Sequence, residues 1–457
     1  MSNMKVFAGQ SISNGELVQE SQPTEELGDD VNDLASESYA IDHLYKDYCK
    51  SEELYQELSD LHQSLESAYV EEGVDRASYE MYKGSARSLY ARMGEEITFI
   101  SYEHFSSRIQ MSLEESQSRI SALFSKIGDF ISQFGDKILG YLGSITKMAK
   151  VIEKEAIDLK AFAKGKTIDT SRFKGNNKDL PYMKAFSIDD KEETSVAMSM
   201  KIIASYTQFF NNPKAADESI AIMDMANKVM EMITSTKDTY QKRDSSWFKE
   251  INALANEISK KQKELSTPLR EMFGLHPITK APRYYNFGKG EYFESMSLPG
   301  GWKVCMVDIK KKVTILAENP NSEKGFITKG ELLLNRYNAN FVHTGDAIYN
   351  GLDRITDRDI ESVTDDVVKI CKIIQGYRKQ VEHVVSSFSK ASKAYEKTAL
   401  RIRDKDYVRG IDTDWIAFVV RVNRMLLTSL MYLGKEISQY SLKQSQLALE
   451  YIRKVLK

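Results

Sequence analysis

The chain is poor in the residues that cross-link or interrupt a protein fold. Its 3 cysteines (Cys49, Cys305, Cys371) lie far apart and are odd in number, which argues against a disulfide framework or a zinc site and favours a reducing compartment. Only 8 prolines occur among 457 residues, so long helices are favoured over many short strands. No segment reaches the ~18 consecutive apolar residues of a transmembrane helix. The start of the chain lacks the long apolar core of a secretory signal.

Motifs of catalysis and cofactor binding are also missing. The 6 histidines are scattered, with no HExxH or HxH pair for a metal. There is no glycine-rich nucleotide loop and no GxSxG nucleophile turn. The run from His343 to Asp346 reads His-Thr-Gly-Asp, but with no nucleophile beside it this pattern predicts a turn. We therefore expect a protein that is not an enzyme, with no catalytic residue, no metal and no cofactor.

What the chain does have is a strong separation of charge. Residues 1–114 hold 23 Asp and Glu against 8 Lys and Arg, a net charge of -15. Residues 115–457 hold 43 acidic against 55 basic residues, a net charge of +12. An acidic leader before a basic body suggests that the body binds a polyanion and that the leader masks it. The alternative is an acidic solvated domain that happens to precede a basic one.

The leader divides into a tail and a helical part. Residues 1–38 are rich in Ser, Gln, Asn, Glu and Asp, a composition typical of a disordered acidic tail. Over residues 39–114 apolar residues recur at three- and four-residue steps, which predicts an acidic helical hairpin. Gly73 is predicted to end its first helix, and Asp75 to cap a second helix from Arg76 to about Gly94.

The body begins with the clearest amphipathic pattern of the chain. Over residues 119–164 one apolar stripe predicts a long helix. The members of the stripe are Ile120, Leu123, Phe124, Ile127, Phe130, Ile131, Phe134, Ile138, Leu142 and Ile145. Gly128, Gly135, Gly140 and Gly143 lie inside it and each cost up to ~1 kcal/mol of helix propensity relative to alanine. We expect close helix packing or a bend at these glycines, and we assign residues 115–276 to a helical body.

Residues 277–350 change character. Short aromatic and β-branched runs flank Leu298-Pro299-Gly300-Gly301, which predicts an antiparallel β-insert of two to four strands. The aromatic residues at 284–293 could stack on nucleic-acid bases, but the core face of a small sheet explains them better. Helical periodicity returns over residues 351–457, with a break near Asp404–Asp414. The predicted fold class is mainly α: an acidic helical hairpin leader, long amphipathic helices forming a bundle, and a small antiparallel β-insert.

The junction between leader and body carries a short recurring motif. Ser112-Leu113-Glu114 ends the leader, and the related triplets Ala35-Ser36-Glu37 and Ser64-Leu65-Glu66 occur earlier in it. A short, partly exposed segment between two helical units is where proteolysis concentrates. A three-residue motif is common in a Glu-rich chain, so the pattern by itself marks only a segment that is open to proteolysis.

In its layout the chain resembles the internal head proteins of large tailed bacteriophages. The shared features are the acidic leader with Ser-Leu-Glu, the helical hairpin, the Ile/Phe amphipathic helix, the Leu-Pro-Gly-Gly hairpin and the C-terminal helices. The resemblance is specific over residues 107–145 and 294–308, whereas the C-terminal helices match no motif of the family. In that family the leader is a propeptide, which a prohead protease removes after a glutamate in a Ser/Ala/Gly-x-Glu or Leu/Ile-x-Glu context. The resemblance therefore implies a cleavage site at Ser112, Leu113, Glu114 and Glu115.

The resemblance also implies where the protein acts and with what. It implies a virion structural protein in the capsid interior, made in the host cytoplasm and open to ejection into the host. The implied partners are capsid or scaffold proteins, the prohead protease and packaged double-stranded DNA, which a body of charge +12 would bind without sequence preference by displacing counterions.

Two alternatives stay open. One is a membrane-active protein that uses the glycine-punctuated stripe from Ile120 to Ile145. The other is a host-inhibiting protein delivered with the genome. We favour the stripe as core over the membrane function, because amphipathic stripes are more often core.

Overall fold

Two long antiparallel helices form the spine of the molecule. The computed structural model describes residues 25–70, 75–96, 102–105, 109–169, 180–188, 195–208, 213–235, 245–282, 290–318, 327–344, 355–404, 410–426 and 431–456. Helix α4 (Ile109–Ala163) and helix α9 (Asp357–Asp404) span 55 and 48 residues. Ser121 Oγ donates to Ala399 O at 2.6 Å near one end of the pair, and Gln375 Nε2 donates to Glu153 Oε2 at 2.7 Å nearer the other.

The remaining elements pack against this pair or against one another. The other helices are α1 (Glu25–Val70), α2 (Arg76–Met93), α3 (Tyr102–Phe105), α5 (Leu180–Phe186), α6 (Val196–Thr207), α7 (Pro213–Ser235), α8 (Ser245–Met272), α10 (Gly410–Leu426) and α11 (Leu433–Val455). The strands are β1 (His276–Ile278), β2 (Glu291–Glu294), β3 (Trp302–Glu318) and β4 (Ile327–His343). The prediction of a mainly α fold with a small antiparallel β-insert is confirmed. The break predicted near Asp404–Asp414 falls between α9 and α10.

The apolar stripe of α4 is the centre of the core. Phe124, Ile127 and Ile138 are almost fully buried, and of the stripe residues only Phe130 is partly exposed. The helix predicted over residues 119–164 is present, but it begins earlier, at Ile109, and ends at Ala163. The stripe that could have anchored the protein in a membrane is therefore covered by the other helices.

Two glycines of α4 allow α9 to approach closely. A Cβ added to Gly128 would lie 3.0 Å from the Cβ of Tyr395, and one added to Gly135 would lie 3.1 Å from Cγ1 of Val385. Gly140 faces open space, with nothing within 4 Å of such an atom. The expected close packing is present at Gly128 and Gly135, and α4 continues as a helix through Gly140 and Gly143.

The leader contributes to the same core. Helix α1 runs antiparallel to α4, since the ring of Tyr45 lies 6.3 Å from that of Phe134 and the ring of Tyr55 lies 5.9 Å from that of Phe124. On its other side α1 meets α10, where Tyr48 Oη donates to the carbonyl of Val420 at 3.3 Å. One apolar cluster extends from α1 to α11. The charge boundary at residue 114 therefore does not separate two cores.

The tail predicted over residues 1–38 does not include residues 25–38, which belong to helix α1. Helix α1 begins at Glu25, and Leu34 and Ser38 are buried. The composition of this stretch is polar, but contacts from distant parts of the chain, such as the one between Ser38 and Gln439 in α11, stabilise it as helix. Residues 1–24 lie outside the described part of the chain.

Helix α2 has the caps that the sequence predicted. The side chain of Asp75 accepts a hydrogen bond from the backbone nitrogen of Ser78 at 2.6 Å, which makes it the N-cap. Gly94 ends the helix in the left-handed region, with φ 79°. Gly73 lies outside the described residues, and α1 ends before it at Val70.

The β-insert is one antiparallel sheet with strand order β1-β2-β3-β4. The predicted Pro-Gly-Gly turn connects β2 to β3, and both Gly300 (φ 78°) and Gly301 (φ 74°) take backbone angles that favour glycine. Tyr292 and Phe293 are both buried, but on opposite faces of the sheet: Phe293 packs in the main core, and Tyr292 in a smaller cluster with Cys305 and Val307. The aromatic residues at 284–287 lie outside the described residues.

Candidate processing site and masked cationic face

The predicted cleavage residues lie in a helix rather than in a linker. Ser112, Leu113, Glu114 and Glu115 occupy the first turns of α4, because that helix already begins at Ile109. The side chains of Glu114 and Glu115 are exposed, but Leu113 is only 2% exposed. The segment is partly exposed, as expected, but the expectation that it lies between two helical units is wrong, because it belongs to α4. A protease must take up unfolded backbone, so the first turns of α4 have to open before the bond after Glu114 can be cut.

A histidine of the leader holds these turns from one side. His62 in α1 and Ser116 in α4 are both buried, and Nδ1 of His62 lies 2.7 Å from Oγ of Ser116. The Ser116 hydroxyl donates to the carbonyl of Leu113 at 2.8 Å. Since the hydroxyl has one proton, its oxygen must accept from the Nδ1–H of His62. The imidazole is thus connected, through one hydroxyl, to the backbone of the predicted cleavage motif.

An arginine holds the same turns from the other side. Nη2 of Arg119 lies 2.8 Å from the Glu115 carboxylate, and Arg119 also forms an ion pair with Glu95, which follows α2. Its guanidinium lies 4.1 Å from the ring centre of Tyr90 in α2. Burial, aided by Glu115 and opposed by Arg119, raises the pKa of Tyr90 to about 12. Arg119 therefore connects α4 to the end of the α2 hairpin.

Three ion pairs connect the leader to the body in the described residues, and they all have the same direction. Glu52 pairs with Arg424 at 2.7 Å, Asp42 pairs with Lys435 at 2.5 Å, and Glu95 pairs with Arg119. In each pair the leader provides the carboxylate and the body provides the cation. The charge separation read from the sequence is thus expressed as direct contacts across the interface between α1–α2 and the body.

The pair between Glu52 and Arg424 is deeply buried. Side-chain exposure is 9% for Glu52 and 13% for Arg424. Burial acts to lower the pKa of Arg424, but the Glu52 carboxylate, Cys49 and Tyr45 together outweigh it, so that the pKa lies well above its usual value. Buried charges of this kind are tolerated only when each has its partner, so removing either one leaves an uncompensated charge.

Lys435 is the centre of a second buried cluster. Its side chain is 1% exposed, and Nζ lies 2.5 Å from the Asp42 carboxylate and 3.0 Å from that of Glu436. The cation also lies 5.0 Å from the ring centre of Tyr432. Burial raises the pKa of Glu436 more than Lys435 lowers it, with Asp42 adding to the increase. When all three groups are ionised the cluster carries one negative charge in excess, so the Asp42 carboxylate adds to the effect of burial on the pKa of Glu436.

An exposed basic stripe lies on the second half of α4. It follows Ser144, which donates to Glu37 of α1 at 3.3 Å. Lys147, Lys150 and Lys154 are exposed there, and Lys164 and Lys166 follow after the end of the helix. We call Lys147, Lys150 and Lys154 the lysine stripe. Val151, Ile157 and Phe162 are exposed around it, at 42, 53 and 56%.

A cleft between the end of α8 and strands β1 and β2 is lined by Arg270, whose guanidinium lies 4.9 Å from the ring centre of Phe293. Within the described ranges, no three His, Cys, Asp or Glu side chains are placed to hold a metal ion. Among the same residues, no helix combines the length and the apolar character needed to cross a membrane. Cys49, Cys305 and Cys371 are free thiols.

Sequence reasoning did not identify the residues that join leader and body. A weak signal was available, because Asp42, Tyr45, Cys49 and Glu52 follow one another at helical spacing and therefore share one face of α1. Two acids on a face with aromatic and thiol neighbours indicate buried carboxylates in need of cations. The cations themselves, Arg424 and Lys435, are far away in the sequence and carry no comparable signal.

Comparison of the chain with protein-family models, with curated proteins and with solved structures found no match.

Proposed function

We propose that this protein is an internal structural protein of the head of a large tailed bacteriophage. In this proposal the acidic leader is a propeptide that neutralises the basic body during head assembly. The prohead protease then cuts between Glu114 and Glu115, and the basic body associates with the packaged DNA. The observation that carries the proposal is the direction of the three ion pairs, in which leader carboxylates meet body cations at Arg119, Arg424 and Lys435.

The physical basis of this function is a change of net charge. With the leader the chain has a net charge of -3, and residues 115–457 alone have a net charge of +12. A cationic body gains affinity for DNA by releasing condensed counterions, and a nearly neutral chain gains little. Loss of the leader would therefore convert a weak DNA binder into a strong one without a change in the sequence of the body.

The fold requires that the leader also dissociate from the body after cleavage. Helix α1 contributes buried residues such as Ile41, Tyr48 and Leu58 to the common core. After cleavage α1 is no longer covalently linked to the body, but these contacts and its ion pairs still hold it in place. Cleavage alone thus makes the leader dissociable, and the dense DNA polyanion inside a filling head would compete with it for the body.

N-terminal sequencing and intact-mass measurement of the protein from purified virions test the proposal. We expect a chain that begins at Glu115. An intact Met1 or Ser2 would refute the propeptide function. A start at Ser38 or Ser67 would retain a propeptide but contradict the assignment of Glu114, and it would require a cut within α1.

A second test compares DNA binding before and after processing. The processed protein from virions should bind duplex DNA of any sequence, with an affinity that falls steeply with salt. The unprocessed chain should bind more weakly at the same salt concentration. Equal binding by both forms would contradict masking by the leader.

The membrane alternative no longer has its original support. It was based on the stripe from Ile120 to Ile145, which is buried between α4 and its neighbours. The exposed apolar side chains nearer the end of α4 alternate with lysines and do not form a separate apolar face. We therefore retain DNA as the proposed partner.

A further inference from the structure

The predicted cleavage site is protected by the very segment that cleavage would release. Ser116, one residue after the start expected for the processed chain, is 1% exposed and accepts a hydrogen bond from His62 of the leader. Leu113, the residue before Glu114, is 2% exposed. Both the hydrogen bond and the burial depend on α1 lying against the first turns of α4.

The second half of the protection comes from α2. Arg119 lies one helical turn after Glu115 and pairs with its carboxylate at 2.8 Å, while it also contacts Glu95 and the ring of Tyr90. Unwinding the helix from its start to Glu115 would separate Glu115 from Arg119. It would also move Ser116 away from His62. The first turns of α4 are thus held by two different leader elements at once.

We propose that the leader locks its own processing site, so that the isolated chain resists cleavage after Glu114 and becomes a substrate only when α1 and α2 are displaced from the start of α4. The lock consists of the His62–Ser116 hydrogen bond and the Arg119 contacts to Glu95, Glu115 and Tyr90. This inference rests on the proposed propeptide function and adds its regulation. Assembly contacts that pull the leader away would open the site, which orders assembly before cleavage.

A Glu-specific endoprotease tests the lock on the purified full-length chain, with cleavage at each bond followed by mass spectrometry. The bond after Glu96 is an internal reference, because Glu96 is exposed, lies outside helices and takes no part in the lock. We expect cleavage after Glu114 to be slower than at the reference by about tenfold or more, since an opening free energy of about 1.4 kcal/mol reduces the open fraction tenfold. Equal rates at the two bonds would overturn the proposal.

Substitutions at His62 then test whether its contact with Ser116 protects the bond after Glu114. His62→Ala should accelerate cleavage after Glu114 about tenfold while leaving the reference bond unchanged. The matched control is His43→Ala, because His43 lies on the same helix with a side chain that is 64% exposed. His62→Asn retains a hydrogen-bonding group near the position of Nδ1 and should restore much of the protection. No acceleration in His62→Ala would overturn the role of His62.

Loss of the buried imidazole could also unfold the whole chain, and a third bond separates this outcome. Glu382 lies in the middle of α9, far along the chain from the lock. Local opening predicts that cleavage after Glu382 stays slow in His62→Ala. Equal acceleration after Glu114 and Glu382 would mean global unfolding and would contradict a local lock. This assay is independent of virion sequencing, so a failure of the lock and a failure of the propeptide function give different results.

Discussion

Gly128 and Gly140 lie in the same helix but have opposite surroundings. Because a Cβ on Gly128 would be 3.0 Å from that of Tyr395, Gly128→Ala would force α4 and α9 apart. Overpacking of this kind costs ~1–3 kcal/mol, which exceeds the helix propensity gain of up to ~1 kcal/mol. We expect Gly128→Ala to lower the free energy of unfolding.

The matched variant is Gly140→Ala, which places the new methyl group in open space and should stabilise the protein by up to ~1 kcal/mol. Denaturant titrations of both variants measure the difference. The same sign of change in both would contradict the packing geometry.

Glu436 gives the protein a specific pH dependence. Its pKa is raised mainly by burial, so the folded protein holds its proton at pH values where the unfolded chain has released it. The folded state binds more protons in this window, and the stability contribution of Glu436 therefore decreases as pH rises from the ordinary glutamate value through the raised pKa. In Glu436→Gln the excess negative charge beside Asp42 and Lys435 is absent at every pH.

We therefore expect Glu436→Gln to have a higher melting temperature than the natural chain at pH 7–8. The difference should disappear near pH 4, where Glu436 is protonated in both states. Melting curves measured across this range check the prediction. Glu382→Gln is the control, because it changes an exposed glutamate. A lower melting temperature for Glu436→Gln at pH 7 would show that the pair with Lys435 outweighs the cost of burial.

At the scale of single elements, substitutions in α4 distinguish a core helix from a membrane anchor. Phe134 is 3% exposed and lies against Tyr45 of α1, whereas Phe130 is only partly buried. Phe134→Ala should leave a cavity and cost about 3–5 kcal/mol of stability. Phe130→Ala should cost less, because a smaller part of its side chain is removed from water. Thermal melts check both values.

The same two variants test the membrane alternative. The natural chain should leave anionic liposomes unbound in co-sedimentation, since the stripe is already covered. Binding to liposomes that Phe134→Ala abolishes without a change in melting temperature would instead indicate an anchor.

Elements also show which parts of the fold the sequence could predict. The caps of α2 and the stripe of α4 depend on residues a few positions apart, and the sequence predicted both of them. The start of α1 and the helical state of Ser112–Glu115 depend on distant contacts, such as Ser38 with Gln439 and His62 with Ser116. Local composition carries no signal of such contacts, so it favours a tail for the polar stretch and a linker for the junction.

For the whole molecule, the arrangement of charge matters more than its sum. The leader masks Arg119, Arg424 and Lys435 by direct contact, but the lysine stripe (Lys147, Lys150 and Lys154) is exposed in the full-length chain. The full-length chain should therefore already bind DNA weakly at low salt through this stripe. The net charge of -3 would oppose binding only through the long-range field, which salt screens.

Neutralising the stripe tests this view of the molecule. The variant Lys147→Gln, Lys150→Gln, Lys154→Gln should weaken DNA binding and reduce the slope of log affinity against log salt by up to ~0.9 for each phosphate that the protein no longer neutralises. The control removes three exposed lysines from the far half of α9, in Lys390→Gln, Lys393→Gln, Lys397→Gln, and has the same net charge. If DNA follows the stripe, the first variant loses more affinity than the second at equal salt. Equal losses would mean that only the net charge counts, and the leader would then act by its total charge alone.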